Sequence, residues 1–131
     1  MNVHVITPER TLPVLPASHV TFTAVDGEVG LRTGHAPLVA QLAVGFALVR
    51  AADGSETLLA IRGGVAQVLN NEIKLFTEQA EDVNHINLDK IQKRLEQLGT
   101  AHPTNAHEKA RNEAEATWNL LQLSLVTQKK S

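Results

Sequence analysis

The chain of 131 residues carries a formal net charge of -2, with 43% apolar and 20% charged residues. That balance belongs to a globular chain long enough to bury a core; it excludes intrinsic disorder and argues against nucleic acid as a partner, which would call for a basic surface. One Trp, three Phe and no Tyr leave no stacking platform for bases, and the lack of Cys removes disulfides, thiolate metal sites and a cysteine nucleophile. No apolar run is long enough to span a bilayer, and no basic-plus-apolar leader opens the chain, so no direct membrane insertion is expected.

From Asn2 to Asn84 the pattern is one of short β-branched runs separated by turn residues. Asn2 to Ile6 alternates around Val3 and Val5, and Pro8, Pro13 and Pro16 restrict Thr11 to Leu15 to an edge or bulged strand. Ser18 to Val25 places Val20, Phe22 and Ala24 on one face and Thr21 and Thr23 on the other. Gly27 to Leu38 holds three glycines and a proline, which predicts a shaped loop between strands, the kind of segment that makes contacts from a rigid scaffold. Its spacing is neither a dinucleotide fingerprint nor a Walker phosphate loop. Val39 to Val44 and Gly45 to Ala51 are apolar strand candidates, and Asp53-Gly54 predicts a hairpin into Thr57 to Arg62. Gly63-Gly64 breaks the run before Val65 to Leu69, and Asn70-Asn71 turns the chain into Ile73 to Thr77. Short strands at this spacing, without helices between them, predict an all-β sandwich or flattened barrel over residues 1–84.

The period changes near Asn84. Leu88, Ile91, Leu95 and Leu98 share one helical face, with Asn87 as the start cap and Gly99 as the end. A connector containing Pro103 leads to Asn105 and Glu108, a capping arrangement for a second helix reaching about Val126. Residues 85–131 thus read as an antiparallel α-helical hairpin, with the narrow seam of Ala106, Ala110 and Ala114 predicted to pack against the first helix. Trp118, Leu120, Leu121, Leu123, Leu125 and Val126 cover more than one stripe, so a second surface is expected to meet this end.

Little in the chain looks catalytic. His102 and His107 flank the connector without the one-face spacing of a zinc helix, and Asp26 with Glu28 offers too few oxygens for a calcium loop. His35, held between Gly34 and Ala36-Pro37, has no nucleophile to serve as base for, so a structural or contact role fits it. Lys129-Lys130 reads as a solvated pair complementing the helix dipole. No two groups show a division of labour between acid and base, and the protein is not expected to be an enzyme by itself.

The loop Gly27-Glu28-Val29-Gly30-Leu31 to Gly34-His35-Ala36-Pro37-Leu38, the later Gly63-Gly64, Ala80-Glu81-Asp82-Val83 at the junction and the helical hairpin, in that order, resemble the epsilon subunit of F-type ATP synthases. The resemblance implies a non-catalytic central-stalk subunit that couples rotation and proton flow to ATP synthesis, peripheral on the cytoplasmic or equivalent face of an energy-transducing membrane. It implies a β-sandwich bound to the gamma subunit and seated on the membrane rotor c-ring, with Glu28, Val29, Gly30, Leu31 and His35 as ring-contact residues. In some relatives the hairpin binds ATP as a regulatory ligand through Ile or Leu, Asp, two residues, Arg and Ala. Here Leu88 and Asp89 keep the first two positions, while Gln92 and Lys93 replace the last two, and Gln92 lacks the guanidinium fork. The hairpin of relatives also inhibits ATP hydrolysis by inserting into the alpha/beta catalytic hexamer. Lys109, Arg111, Trp118, Leu121 and Leu125 are the corresponding regulatory contacts here, although no Lys or Arg lies between Glu113 and Gln128. The alternative is a stand-alone ATP-binding sensor built on a β-sandwich.

Overall fold

The computed structural model describes residues 1–130, with side chains as far as Gln128; Ser131 and the side chains of the Lys129-Lys130 tail lie outside the described residues. Two compact units divide between Asp82 and Val83.

Unit 1 is one eight-stranded curled sheet. Its strands are β1 (Asn2–Ile6), β2 (Leu15–Pro16), β3 (His19–Ala24), β4 (Gly27–Arg32), β5 (Leu38–Arg50), β6 (Glu56–Leu69), β7 (Glu72–Phe76) and β8 (Ala80–Asp82). The order is β2-β1-β7-β6-β5-β3-β4, with β8 also paired to β6. Only β1 and β7 run parallel; the rest of the ladder is antiparallel.

The alternation read in the sequence has its physical counterpart here. Val3, Val5, Val20, Phe22, Ile73 and Leu75, at every second position of their strands, are almost fully buried in a single core. The core residues all lie between Val3 and Ala80, so the sheet closes its apolar face on itself.

The long strands explain the curl. β5 and β6 each run through positions where the sequence suggested a break. At Gly63 and Gly64 the backbone takes φ of +69° and +116°, so β6 bends without ending. Opposite, the β3–β5 register shifts between Phe22 and Ala24, and Thr23 Oγ1 accepts the Phe46 N–H at 3.2 Å. The adjacent Gly45 leaves the space that the Thr23 side chain fills, since a Cβ there would lie 2.5 Å from Thr23 Cβ. Two tight turns complete the ladder. Asp53 Oδ1 accepts the Ser55 N–H and hydroxyl at 2.9 and 2.7 Å, and the hydroxyl bond above all holds the carboxyl below its ordinary range. Asn70 and Asn71 both adopt positive φ, the geometry of a two-residue hairpin.

Unit 2 starts with a single 3-10 turn over Val83–His85, followed by α1 (Leu88–Thr100) and α2 (Ala106–Lys130). Asn87 caps α1 by accepting the Lys90 N–H at 3.2 Å. Asn105 Oδ1 accepts the Glu108 N–H at 2.8 Å, and the Glu108 carboxylate turns back to the Thr104 hydroxyl at 2.8 Å.

Three expectations need correction. The segment after Gly27 is not a loop throughout: Gly27–Arg32 is a strand, and only 33–37 is irregular. Gly99 does not end α1, which continues to Thr100 and is closed by the Ala101 N–H on the Leu98 carbonyl. The alanine seam does not pack on α1, because Ala106, Ala110 and Ala114 are all exposed. Instead the hairpin closes through Arg94, whose guanidinium donates to both carboxylate oxygens of Glu115 at 2.6 and 2.8 Å.

Candidate functional site

Strand β4 lies at one edge of the sheet, with a partner only on its β3 side among the described residues. Period-2 geometry divides its residues. Glu28, Gly30 and Arg32 point outward, Leu31 is 1% exposed within the core, and Val29 is half-buried against it. The sequence expectation that Leu31 touches a partner is therefore not met by its side chain, which anchors the strand from beneath. Glu28 stands opposite Thr23, Gly30 opposite Thr21 and Arg32 opposite His19.

Beyond Arg32 the chain reverses through a glycine. Gly34 takes φ of +86°, and its N–H donates to Asn71 Oδ1 at 2.7 Å, which ties this loop to the β6–β7 turn. The His35 N–H donates to the Arg32 carbonyl at 3.1 Å, and His35 Nδ1–H donates to the Ala36 carbonyl at 2.7 Å. Because a carbonyl only accepts, that bond fixes the Nδ1 proton and leaves Nε2 turned to solvent. Gly30, Arg32 and His35 thus line one open groove, while Glu28 stands on the same outward face two residues before Gly30. Asn71, the clamp, and His19, the neighbour of Arg32, are contributors that sequence reasoning missed; both reach this surface through pairings far apart in the chain.

A second exposed surface lies on the outward face of β5, β6 and β7. Phe76 pairs with Val65 and Val65 with Gln41; in the next row Lys74, Gln67 and Val39 are paired. Val39 is 72% exposed, Val65 43% and Phe76 41%, an apolar cluster that the sheet's own core leaves uncovered.

In unit 2, Leu88 and Asp89 line an open cleft of about 600 Å³ together with Asn84, Ile86, Asn87 and Val126. The lining holds one carboxylate and no Lys or Arg, so a triphosphate entering it would meet no counter-charge. Lys109 and Arg111 are exposed on α2, Leu121 is half-buried, and Trp118 and Leu125 are buried. Among the described residues, no three His, Asp or Glu side chains converge as a metal site would need. No helix of the described residues is long and apolar enough to cross a membrane.

A curled antiparallel-rich sheet with an exposed edge strand and an exposed apolar face, followed in the chain by a helical hairpin, defines the fold class of this protein. Residues 1–83 match the family described as ATP synthase, Delta/Epsilon chain, beta-sandwich domain. The ATP synthase epsilon chain of Synechococcus sp. (strain JA-2-3B'a(2-13)) is 34% identical over 114 residues, covering 87% of this chain and 82% of that one. That of Synechococcus elongatus (strain ATCC 33912 / PCC 7942 / FACHB-805) is 31% identical over 134 residues, covering 92% and 97%. The chain belongs to the ATP synthase epsilon chain family, and it is a non-catalytic subunit of that complex. Among solved structures, a chain of the Euglena gracilis mitochondrial ATP synthase (OSCP/F1/c-ring, rotational state 1) superposes with a TM-score of 0.79 at 22% identity, covering 95% of this chain and 79% of that one. A chain of the Tetrahymena thermophila mitochondrial ATP synthase central stalk/c-ring superposes with a TM-score of 0.67 at 14% identity, covering 95% of each chain. Both likenesses extend beyond the sheet to the hairpin and so support the whole fold.

Proposed function

We propose that this chain is the rotor subunit that couples the central stalk to the ring of a proton-translocating ATP synthase, on the cytoplasmic or equivalent side of the membrane. Unit 1 docks the gamma subunit through the exposed apolar face of β5, β6 and β7, and meets the c-ring through the surface of Glu28, Val29, Gly30 and His35. The observation that carries this reading is the apolar cluster of Val39, Val65 and Phe76, large side chains in adjacent sheet rows that nothing within unit 1 covers. A stiff antiparallel sheet suits the task, because torque passed between two partners must not be lost in bending. Unit 2 regulates ATP hydrolysis by engaging the alpha/beta hexamer through Lys109, Arg111, Trp118, Leu121 and Leu125.

Point substitutions test the ring contact better than a deletion, since removing residues 28–34 would also remove the buried Leu31. In the assembled enzyme, Glu28→Ala with His35→Ala is expected to lower ATP-driven proton pumping per ATP hydrolysed while the subunit still co-purifies with gamma. Val65→Asp with Phe76→Asp is expected to abolish that co-purification. Unchanged pumping in the first case, or retained gamma in the second, would remove the corresponding contact.

A further inference from the structure

Burial divides α2 into two halves. From Gly99 to Ala114 no side chain is buried, and only Glu108 and Asn112 are half-buried. Further on, Trp118, Asn119, Gln122, Leu125 and Val126 are all buried. The outer half therefore lacks the apolar cover that holds most helices together in water. At the boundary stands the pair of Arg94 and Glu115, joined at 2.6 and 2.8 Å. The same guanidinium donates from Nη1 to Gln97 Oε1 at 3.1 Å, within α1, so its plane is set before it meets the carboxylate. Yet the two side chains are 43% and 31% exposed, and mobile ions reach and screen them. The backbone is weakened at the same place. Thr117 Oγ1 donates to the Glu113 carbonyl at 3.0 Å and Asn119 Nδ2 to the Glu115 carbonyl at 2.9 Å, and such bonds back onto the preceding turn loosen and bend a helix.

We propose that Arg94 and Glu115 form a salt-sensitive latch at which the hairpin opens in two stages. In the first stage the pair parts, α2 gives way between Glu113 and Asn119, and the outer half of α2 comes free while Trp118, Leu125 and Val126 stay covered. This stage exposes little new apolar area, so the balance rests on one solvent-accessible ion pair and follows ionic strength. The second stage uncovers the three buried side chains, and its cost is the apolar area itself, on which screening of charges has no hold. Release of the outer half is then the step that precedes engagement of the catalytic hexamer, a consequence that rests on the regulatory reading given above.

The test is hydrogen exchange of the full chain, followed by amide resonances at about 0.05 M and about 0.5 M potassium chloride. In the parent chain the amides of Lys109 to Ala114 are expected to be at least about tenfold less protected than those of Leu120 to Val126. The higher salt should speed exchange of the outer amides about two- to fivefold; Arg94→Gln should do the same at low salt, and in that variant the response to salt should vanish. One common protection along α2 would overturn the two stages, and a salt response that persists in Arg94→Gln would overturn the latch. The comparison of the two halves needs no substitution, so it decides the matter even where Arg94→Gln folds poorly. In the assembled enzyme Arg94→Gln is expected to lower ATP hydrolysis about twofold, because the outer half is free more often. Exchange as expected beside unchanged hydrolysis would keep the latch and remove the regulatory reading alone.

Discussion

Gly64 sits where no side chain fits. Its φ is +116°, and a Cβ would fall inside contact distance of the Phe76 carbonyl on the neighbouring strand. Gly64→Ala therefore combines backbone strain with a clash that backbone, not a flexible side chain, must relieve, and it is expected to destabilise by about 3 kcal/mol or more. Gly30 has ordinary strand geometry and open space, so Gly30→Ala should stay within about 0.5 kcal/mol. Urea unfolding of both variants checks the pair; similar midpoints would mean that the bend in β6 does not rest on Gly64. Glu72 gives a second expectation at this scale. The hydrogen bond from His4 at 2.6 Å, then that from Asn2, holds its carboxyl below the ordinary range. A folded pKa lowered in this way contributes stability above the unfolded carboxylate range and loses it as pH falls through the folded value. Glu72→Gln should accordingly be less stable than the parent at neutral pH, with the gap closing in acid, as thermal melts at stepped pH would reveal. A gap that widens in acid would reverse the assigned sign.

At the scale of elements, the hairpin is closed by a contact that binary patterning hides. Two Arg94 nitrogens donate one to each Glu115 carboxylate oxygen, and the contact raises the guanidinium above its ordinary range chiefly through these hydrogen bonds to Glu115. Arg94→Glu is expected to lower the melting temperature of unit 2 by a few degrees, and adding Glu115→Arg should restore most of the loss. Absence of rescue by the exchanged pair would show that packing, not this ion pair, sets the register of the helices. The sequence made the alanine seam the natural interface, because small residues at every fourth position permit close approach. The structure turns that stripe to solvent and buries Asn119 and Gln122, which no polarity pattern would place inside. Asn119 Nδ2 donates to the Glu115 carbonyl at 2.9 Å, a bond made within the turn and invisible to a hydrophobic count. Strand β4 was missed for a related reason. Its glycines suggested a loop, yet only Gly27 and Gly34, which bracket it, have positive φ, while Val29 and Leu31 keep the inward alternation of a strand. Strands β1, β3, β5, β6 and β7 were legible because their alternation is carried by β-branched and apolar residues that the core demands, whereas the three-residue β8, paired to β6, had no such pattern and was not expected. The candidate surface was legible at Glu28 and His35 and illegible at His19 and Asn71, whose roles depend on cross-strand neighbours.

For the whole molecule, the decisive fact is that, among the described residues, the buried core cluster of the sheet runs from Val3 to Ala80, within unit 1. Truncation after Asn87 should therefore leave unit 1 folded and still able to enter the complex, as circular dichroism and co-purification with gamma would show. The helices are a different matter. Trp118, Leu125 and Val126 are 5–6% exposed. Uncovering three such side chains costs roughly 4.5–9 kcal/mol at about 1.5–3 kcal/mol each. Displacing the far half of α2 is thus strongly disfavoured unless another surface covers the same residues, which in the assembled enzyme is the task proposed for the alpha/beta hexamer. Inhibition on this account requires the complex and the far half of α2 together. Removing residues 88–131 should raise ATP hydrolysis several-fold in the assembled enzyme. Trp118→Ala with Leu125→Ala should raise it by less, since both the compact and the inserted states lose the same cover. A hydrolysis rate unaltered by the truncation would leave unit 2 without a regulatory role.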